Sequence, residues 1–198
     1  MGFREINMIE LSFQSFLIEN QYYYYNKAII LAGSPGSGKS HIVNEIIIPL
    51  GFKVLDLDIL RTIAANKEQE LIAKQTNHYV KYKIPCIFDM TSRNPQSTQE
   101  LKEKMESNEY EVYMIFINAP LEVAHQRNQK RSRVVSPEFL EDAWNNVQKN
   151  IPMYKSMFKG NFLEINNSKN FEELNFEFKK RTLNSWKRDI VSLLNYSS

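Results

Sequence analysis

The densest chemistry in the chain lies in eight consecutive residues, Gly33-Ser34-Pro35-Gly36-Ser37-Gly38-Lys39-Ser40, which match the pattern G-x-x-x-x-G-K-S/T in full. Each fixed position has a physical task. The glycines let the backbone turn so that successive N–H groups point inward as an anion nest. A helix starting near Lys39 adds the positive end of its dipole. Lys39 can reach the β- and γ-phosphates of a triphosphate, and the Ser40 hydroxyl can ligate Mg²⁺. The pattern predicts that Gly33 to Ser40 bind the phosphates of ATP or a similar triphosphate, with His41 adjoining them.

What happens to the phosphate depends on residues elsewhere. A GTPase would carry Asn-Lys-x-Asp after a strand, and the sequence has none. A mechanical ATPase carries Asp-Glu at the end of an apolar strand, the Glu activating water. Here that strand reads Cys86-Ile87-Phe88-Asp89-Met90, with the Asp but no Glu. Transfer to a bound hydroxyl fits better than hydrolysis. It needs a carboxylate that orients the hydroxyl and takes its proton. Asp58, in Asp56-Leu57-Asp58-Ile59-Leu60-Arg61, is the candidate. Arg61, one helical turn on, would face the same side and clamp an acceptor phosphate. Asp89 is a candidate for holding a metal-bound water or an acceptor group, and Arg93 for facing the acceptor. Simpler roles stay open: Asp58 as a helix cap, Arg61 as a surface charge, Asp89 as a cap for the turn Thr91 to Pro95. A phosphatase nucleophile in Asp-x-Asp would leave the phosphate loop unexplained.

The stretch Arg127-Asn128-Gln129-Lys130-Arg131-Ser132-Arg133 carries four basic residues in seven. It reads as a basic lid, within about residues 126–138, that neutralises charge on the transferred phosphoryl group. Arg127 and Arg131, one turn apart, suit adenine stacking and phosphate contact respectively; a solvated helix end is the alternative. Asn166-Asn167-Ser168 could line the base pocket. His41, His78 and His125 lack metal-ligand spacing.

These residues must be positioned by alternating strands and helices. Apolar runs predict strands over Lys27 to Ala32, Lys53 to Leu57, Pro85 to Asp89, Glu111 to Asn118 and Phe162 to Ile165. Helical spacing predicts helices over Ile9 to Ile18, His41 to Leu50, Ile59 to Tyr82, Gln96 to Ser107 and Leu121 to Lys130. Ser136-Pro137-Glu138 opens a further helix. A long amphipathic helix spans Phe171 to Leu194, with Leu174, Phe178, Trp186, Ile190 and Leu193 on one face. The alternation predicts an α/β fold with a mainly parallel five-stranded sheet and helices on both faces. Ligands would then bind beyond the C-terminal strand ends, after residues 32, 57, 89 and 118. The expected organisation is one domain over 1–198, with a lead-in over 1–26 and the C-terminal helix over 170–195.

Composition sets few further bounds. The 198 residues are 42% hydrophobic and 24% charged with net charge +2, so anion binding must come from local clusters rather than a global basic field. The single cysteine, Cys86, sits in an apolar run and reads as a core residue. A lone thiol, the absence of a signal-peptide pattern and the lack of a membrane-length apolar stretch fit a cytoplasmic protein. The run Tyr22 to Tyr25 reads as packing rather than ligand stacking.

The motif set resembles the kinase domain of phage polynucleotide 5′-hydroxyl kinases. It rests on GSPGSGKS at Gly33 to Ser40, Asp58-Ile-Leu-Arg61, Asp89 with Asn94-Pro95 nearby, and Arg127-Asn-Gln-Lys-Arg131 followed by Val134 and Pro137. The resemblance covers about residues 28 to 158. It implies a three-layer P-loop kinase fold with a basic helical lid, and ATP and Mg²⁺ as cofactors. It further implies Asp58 as general base, Arg61 on the acceptor phosphate and Arg131 on the transferring phosphate. The chain departs from the pattern in having no separate phosphatase domain and in its long C-terminal helix. It also looks like zeta-toxin-type kinases, which phosphorylate a nucleotide sugar, and like phage kinases of hydroxymethylated bases in DNA. The implied acceptor is DNA, RNA or a nucleotide-like molecule; a non-catalytic nucleotide-dependent binding protein is the remaining alternative.

Overall fold

The computed structural model describes residues 24–56, 67–132, 134–168 and 174–195. The predicted helix over Ile9 to Ile18, Asp58, Arg61, Arg133 and the predicted helix start at Phe171 lie outside the described residues.

Five strands form one sheet: β1 (Lys27–Ala32), β2 (Lys53–Asp56), β3 (Cys86–Asp89), β4 (Glu111–Asn118) and β5 (Phe162–Asn166). Their order is β2-β3-β1-β4-β5. All four pairings are parallel, so the expectation of a mainly parallel sheet is met throughout. Parallel strands need crossovers, and helices supply them: α1 (Lys39–Ile42), α2 (Glu68–Tyr82), α3 (Pro95–Glu106), α4 (Leu121–Gln129), α5 (Pro137–Phe158) and α6 (Phe176–Asn195).

Side-chain alternation divides the core into two layers. Ile29 and Leu31 of β1, Ile87 of β3, and Tyr113, Ile115 and Ile117 of β4 face α1 and α6, meeting Ile42, Ile46, Trp186 and Ile190. Ala28, Ile30, Phe88, Met114 and Phe116 face the opposite side, against Tyr79 of α2, Met105 of α3, and Val147 and Tyr154 of α5. Cys86 lies in this second layer, where burial pushes its thiol up to about 12. Tyr24 packs beside Phe52 with ring centroids 5.4 Å apart, so this part of the tyrosine run is core, whereas Tyr25 is exposed.

Local signals set most helix ends. Asn94 caps α3 by accepting from the Gln96 N–H at 3.0 Å, with Pro95 in the first turn. Ser136 Oγ does the same for α5, accepting from the Phe139 N–H at 3.2 Å. The helix after the phosphate loop ends as read from Pro49 and Gly51, Gly51 standing left-handed at φ 92°. It starts at Lys39, as the phosphate-loop pattern predicts and two residues before the apolar spacing does, and passes through a π-helical turn over Val43–Ile47 before a 3₁₀ turn over Ile48–Leu50. The C-terminal helix buries Trp186, Ile190, Leu193 and Leu194. Phe178, expected on the same face, is 38% exposed, because the first turns of α6 run past the sheet core.

Candidate nucleotide site at the phosphate loop

The strand order reverses on either side of β1, whose neighbours β3 and β4 lead away in opposite directions. Such a switch point opens a crevice beyond the strand tips, and Gly33 to Ser40 fill it. Gly33 N–H donates to the Thr91 carbonyl at 3.3 Å, tying the loop to the segment after β3. The Ser37 N–H donates to Ser34 at 3.1 Å and closes the turn. Ser34 and Ser37 are buried, whereas Ser40 is exposed at the mouth. Gly36 and Gly38 have φ of 78° and 96°, and both are pressed by neighbours. A Cβ at Gly36 would overlap the Ala124 backbone carbonyl of α4, and one at Gly38 would overlap the Asn167 side-chain amide.

Gly36→Ala should therefore combine left-handed strain with a clash against backbone, and neither relaxes cheaply. The expected loss is about 2–4 kcal/mol, seen as a fall of roughly 5–15 °C in thermal midpoint. An unchanged midpoint would mean that the loop does not sit against α4.

The C-terminal end of α4 clamps the loop. Arg127 Nη1 donates to the Ser37 carbonyl at 3.2 Å and reaches Gly36 at 3.5 Å; Nη2 donates to Asn167 Oδ1 at 3.2 Å. Asn167 Nδ2 in turn donates to the Ser37 carbonyl at 2.8 Å. Asn128 fixes the turn that follows: its side chain donates to the Val135 carbonyl at 2.8 Å and accepts from the Val135 N–H at 3.2 Å. Arg131 is left exposed, facing the same cavity as the loop.

That cavity, of about 920 Å³, runs from Gly36 to His41 past Glu45 and Ile46 to the lid residues Arg127, Lys130 and Arg131 and to α6. Among the described residues, seven Lys and Arg side chains line it against one acid, Glu45, an arrangement that favours a polyanion. Lys39 Nζ rests on the loop's own carbonyls, donating to Gly33 at 2.8 Å and Ser34 at 3.2 Å. His41 is held below the usual imidazole range, chiefly by burial; Glu45 opposes the shift, while Arg127 and Lys179 add to it. Ser37 Oγ is fully buried beside Gly33 with no hydrogen-bond partner among the described residues. The glycine-turned loop and the cation set together suit a triphosphate.

Of the acceptor-side residues, Asp89 is 8% exposed at the tip of β3, in register with Leu31 of β1 and Asp56 of β2. By alternation it follows Ile87 onto the α1 side of the sheet. Its successor Met90 belongs to the opposite core layer, so the place of a water-activating Glu is taken by packing. Arg93 is held by α5: it pairs with Asp142 at 3.5 Å, lies over the Phe139 ring at 5.1 Å, and its carbonyl accepts from Asn150 at 3.0 Å. The adjoining Ser92 has φ 53°, and its carbonyl accepts from the buried Tyr154 hydroxyl. His125 pairs with Glu141 at 3.2 Å. Sequence reasoning did not single out Asn128, Tyr154 or the lysines of α6. Asn128 sat within a run read for its charge, and the other two act through contacts far apart in sequence.

Sheet topology and phosphate-loop pattern together define an α/β P-loop domain. Residues 29–152 match the family described as an AAA domain, and the chain belongs to that family. The chain is 28% identical over 176 residues to a protein of Acanthamoeba polyphaga mimivirus named as a bifunctional polynucleotide phosphatase/kinase. That match takes in 85% of this chain but only 38% of the relative. Among solved structures, a chain of the Pnkp1/Rnl/Hen1 RNA repair complex superposes with TM-score 0.55 at 20% identity, over 65% of this chain and 46% of that one. A structure described as a kinase from Chloroflexus aurantiacus gives 0.61 at 11% identity, over 85% and 98%. A gluconokinase from Sinorhizobium meliloti gives 0.52 at 13%, over 84% and 97%. These three share the fold. No helix among the described residues is long and apolar enough to cross a membrane.

Proposed function

We propose that the chain transfers the γ-phosphate of ATP to a hydroxyl group on a nucleic acid or nucleotide-like acceptor. The observation that carries this is a phosphate loop and a basic lid end facing one cavity, beside a strand tip where Asp89 is followed by the core residue Met90. Donor binding and charge neutralisation are provided for, and the usual water-activating group is missing. The resemblance to polynucleotide kinases in the phosphate loop, the Asp58–Arg61 segment and the lid supports the choice of acceptor.

In this scheme the acceptor oxygen attacks the γ-phosphorus as the bond to the bridging oxygen of ADP breaks, and the hydroxyl proton passes to the Asp58 carboxylate. Arg61 holds an acceptor phosphate. Lys39 leaves the Gly33 and Ser34 carbonyls to meet the β- and γ-phosphates, and Arg131 neutralises the moving charge. Arg127 and His41 border the donor. Ser40 and Asp89, the latter through water, would hold Mg²⁺, which supplies further charge neutralisation when bound. Arg93 would reach an acceptor by giving up Asp142, an exposed pair worth about 0–1 kcal/mol.

The test is γ-labelled ATP offered with 5′-hydroxyl DNA and RNA, hydroxymethyl-base DNA, UDP-N-acetylglucosamine and free nucleosides. Label on DNA, RNA or hydroxymethyl-base DNA is expected. Label confined to UDP-N-acetylglucosamine would replace this acceptor class with a nucleotide sugar. No transfer to any acceptor, with tight ATP binding, would make the chain a nucleotide-dependent binding protein.

A further inference from the structure

The inward stripe of α6 changes character along its length. Over the C-terminal half it is apolar and buried, through Trp186, Ile190, Leu193 and Leu194. Over the N-terminal half Phe176, Lys179, Lys180 and Leu183 line the large cavity that also takes in Gly36 and Gly38 to His41 of the phosphate loop. Among the described residues the cavity lining carries seven Lys and Arg side chains and one acid, which favours an anionic ligand. Phe176 is 74% exposed at the same mouth, the most uncovered large hydrophobic residue described. Asn175 caps the first turn, its Oδ1 accepting from the Phe178 N–H at 2.9 Å. The apolar end of the helix is locked into the core. This half of α6 is therefore a fixed wall, part apolar and part cationic, facing a triphosphate nest. Residues 29–152 carry the family match, so α6 lies outside what the family describes.

We propose that α6 is the nucleoside-side wall of the donor site: Phe176 and Leu183 cover the base, and Lys179 and Lys180 contact the phosphate nearest the ribose. This rests on the donor role of the phosphate loop proposed above. A nucleotide's flat apolar base and its charged phosphates match in kind this mixture of apolar and cationic side chains. Base stacking on an aromatic side chain is sequence-tolerant, so Phe176 confers affinity for a base rather than choice among bases.

Calorimetric titration of the whole chain with ATP and with inorganic tripolyphosphate separates the parts. Phe176→Ala should weaken ATP by about 10-fold and leave tripolyphosphate unchanged, the second ligand also reporting an intact loop. The double substitution Lys179→Ala with Lys180→Ala should weaken ATP by about 10-fold or more. Wild-type binding of ATP that both variants retain within two-fold (about 0.4 kcal/mol) would overturn the α6 assignment alone. Equal weakening of both ligands by Phe176→Ala would overturn the base contact. Failure of the wild type to bind either ligand would remove the donor site itself.

Discussion

Lys39→Ala is expected to lower phosphotransfer by about 10²- to 10³-fold at saturating ATP, the usual consequence of deleting one preorganised charge from a transition state. The resting position of Lys39 makes the expectation specific. Its ammonium group is held over the mouth of the loop by the Gly33 and Ser34 carbonyls at 2.8 and 3.2 Å. Entering phosphates offer stronger, charge-assisted partners at that place. The methylene stem is part-buried against the loop, so the substitution also removes some packing, and binding should weaken along with turnover. Steady-state rates with a labelled acceptor read the effect. A variant retaining more than about a tenth of wild-type turnover would show that Lys39 does not act on the transferred group.

Asp58→Asn should cost about 10²- to 10⁴-fold in transfer, the range for removing a positioned general base, while ATP affinity stays at the wild-type value. Asn preserves size and polarity but cannot take the proton. Asp58 follows β2 by two residues, and β2 ends at Asp56, in register with Asp89. β2 and β3 lie on one side of β1, and β4 and β5 on the other. A split between intact binding and lost transfer is what a donor-independent base requires. Full activity of the variant would move the base elsewhere, and parallel loss of binding would make Asp58 a structural residue.

Much of the scaffold was legible because it depends on local patterns. The strands were read from apolar runs, and the parallel sheet buries the central strands β1, β3 and β4 on both faces, the condition under which such runs arise. The phosphate loop was legible from its spacing, and the ends of α3 and α5 from Asn94, Pro95, Ser136 and Pro137. Features made by distant contacts were not legible. The π turn over Val43–Ile47 leaves no signal in residue type. Arg127 suits adenine stacking by sequence, and in the structure it hydrogen-bonds the loop carbonyls and Asn167, 40 residues on. Arg93 was expected to face an acceptor, and a partner 49 positions away, Asp142, holds it on α5 (142 − 93). In α6 a search for apolar periodicity finds the stripe but counts inward lysines as surface, because nothing in the helix alone reveals the cavity they face. Asp58 and Arg61, which carry the acceptor side of the proposal, lie outside the described residues.

The central claim is that the phosphate loop serves transfer rather than hydrolysis. The most direct measurement follows γ-labelled ATP with and without a 5′-hydroxyl oligonucleotide, recording label on the oligonucleotide and as inorganic phosphate. The expected result is rapid, acceptor-dependent labelling that greatly exceeds phosphate release. Phosphate release at the same rate with and without acceptor, and no labelled oligonucleotide, would contradict it.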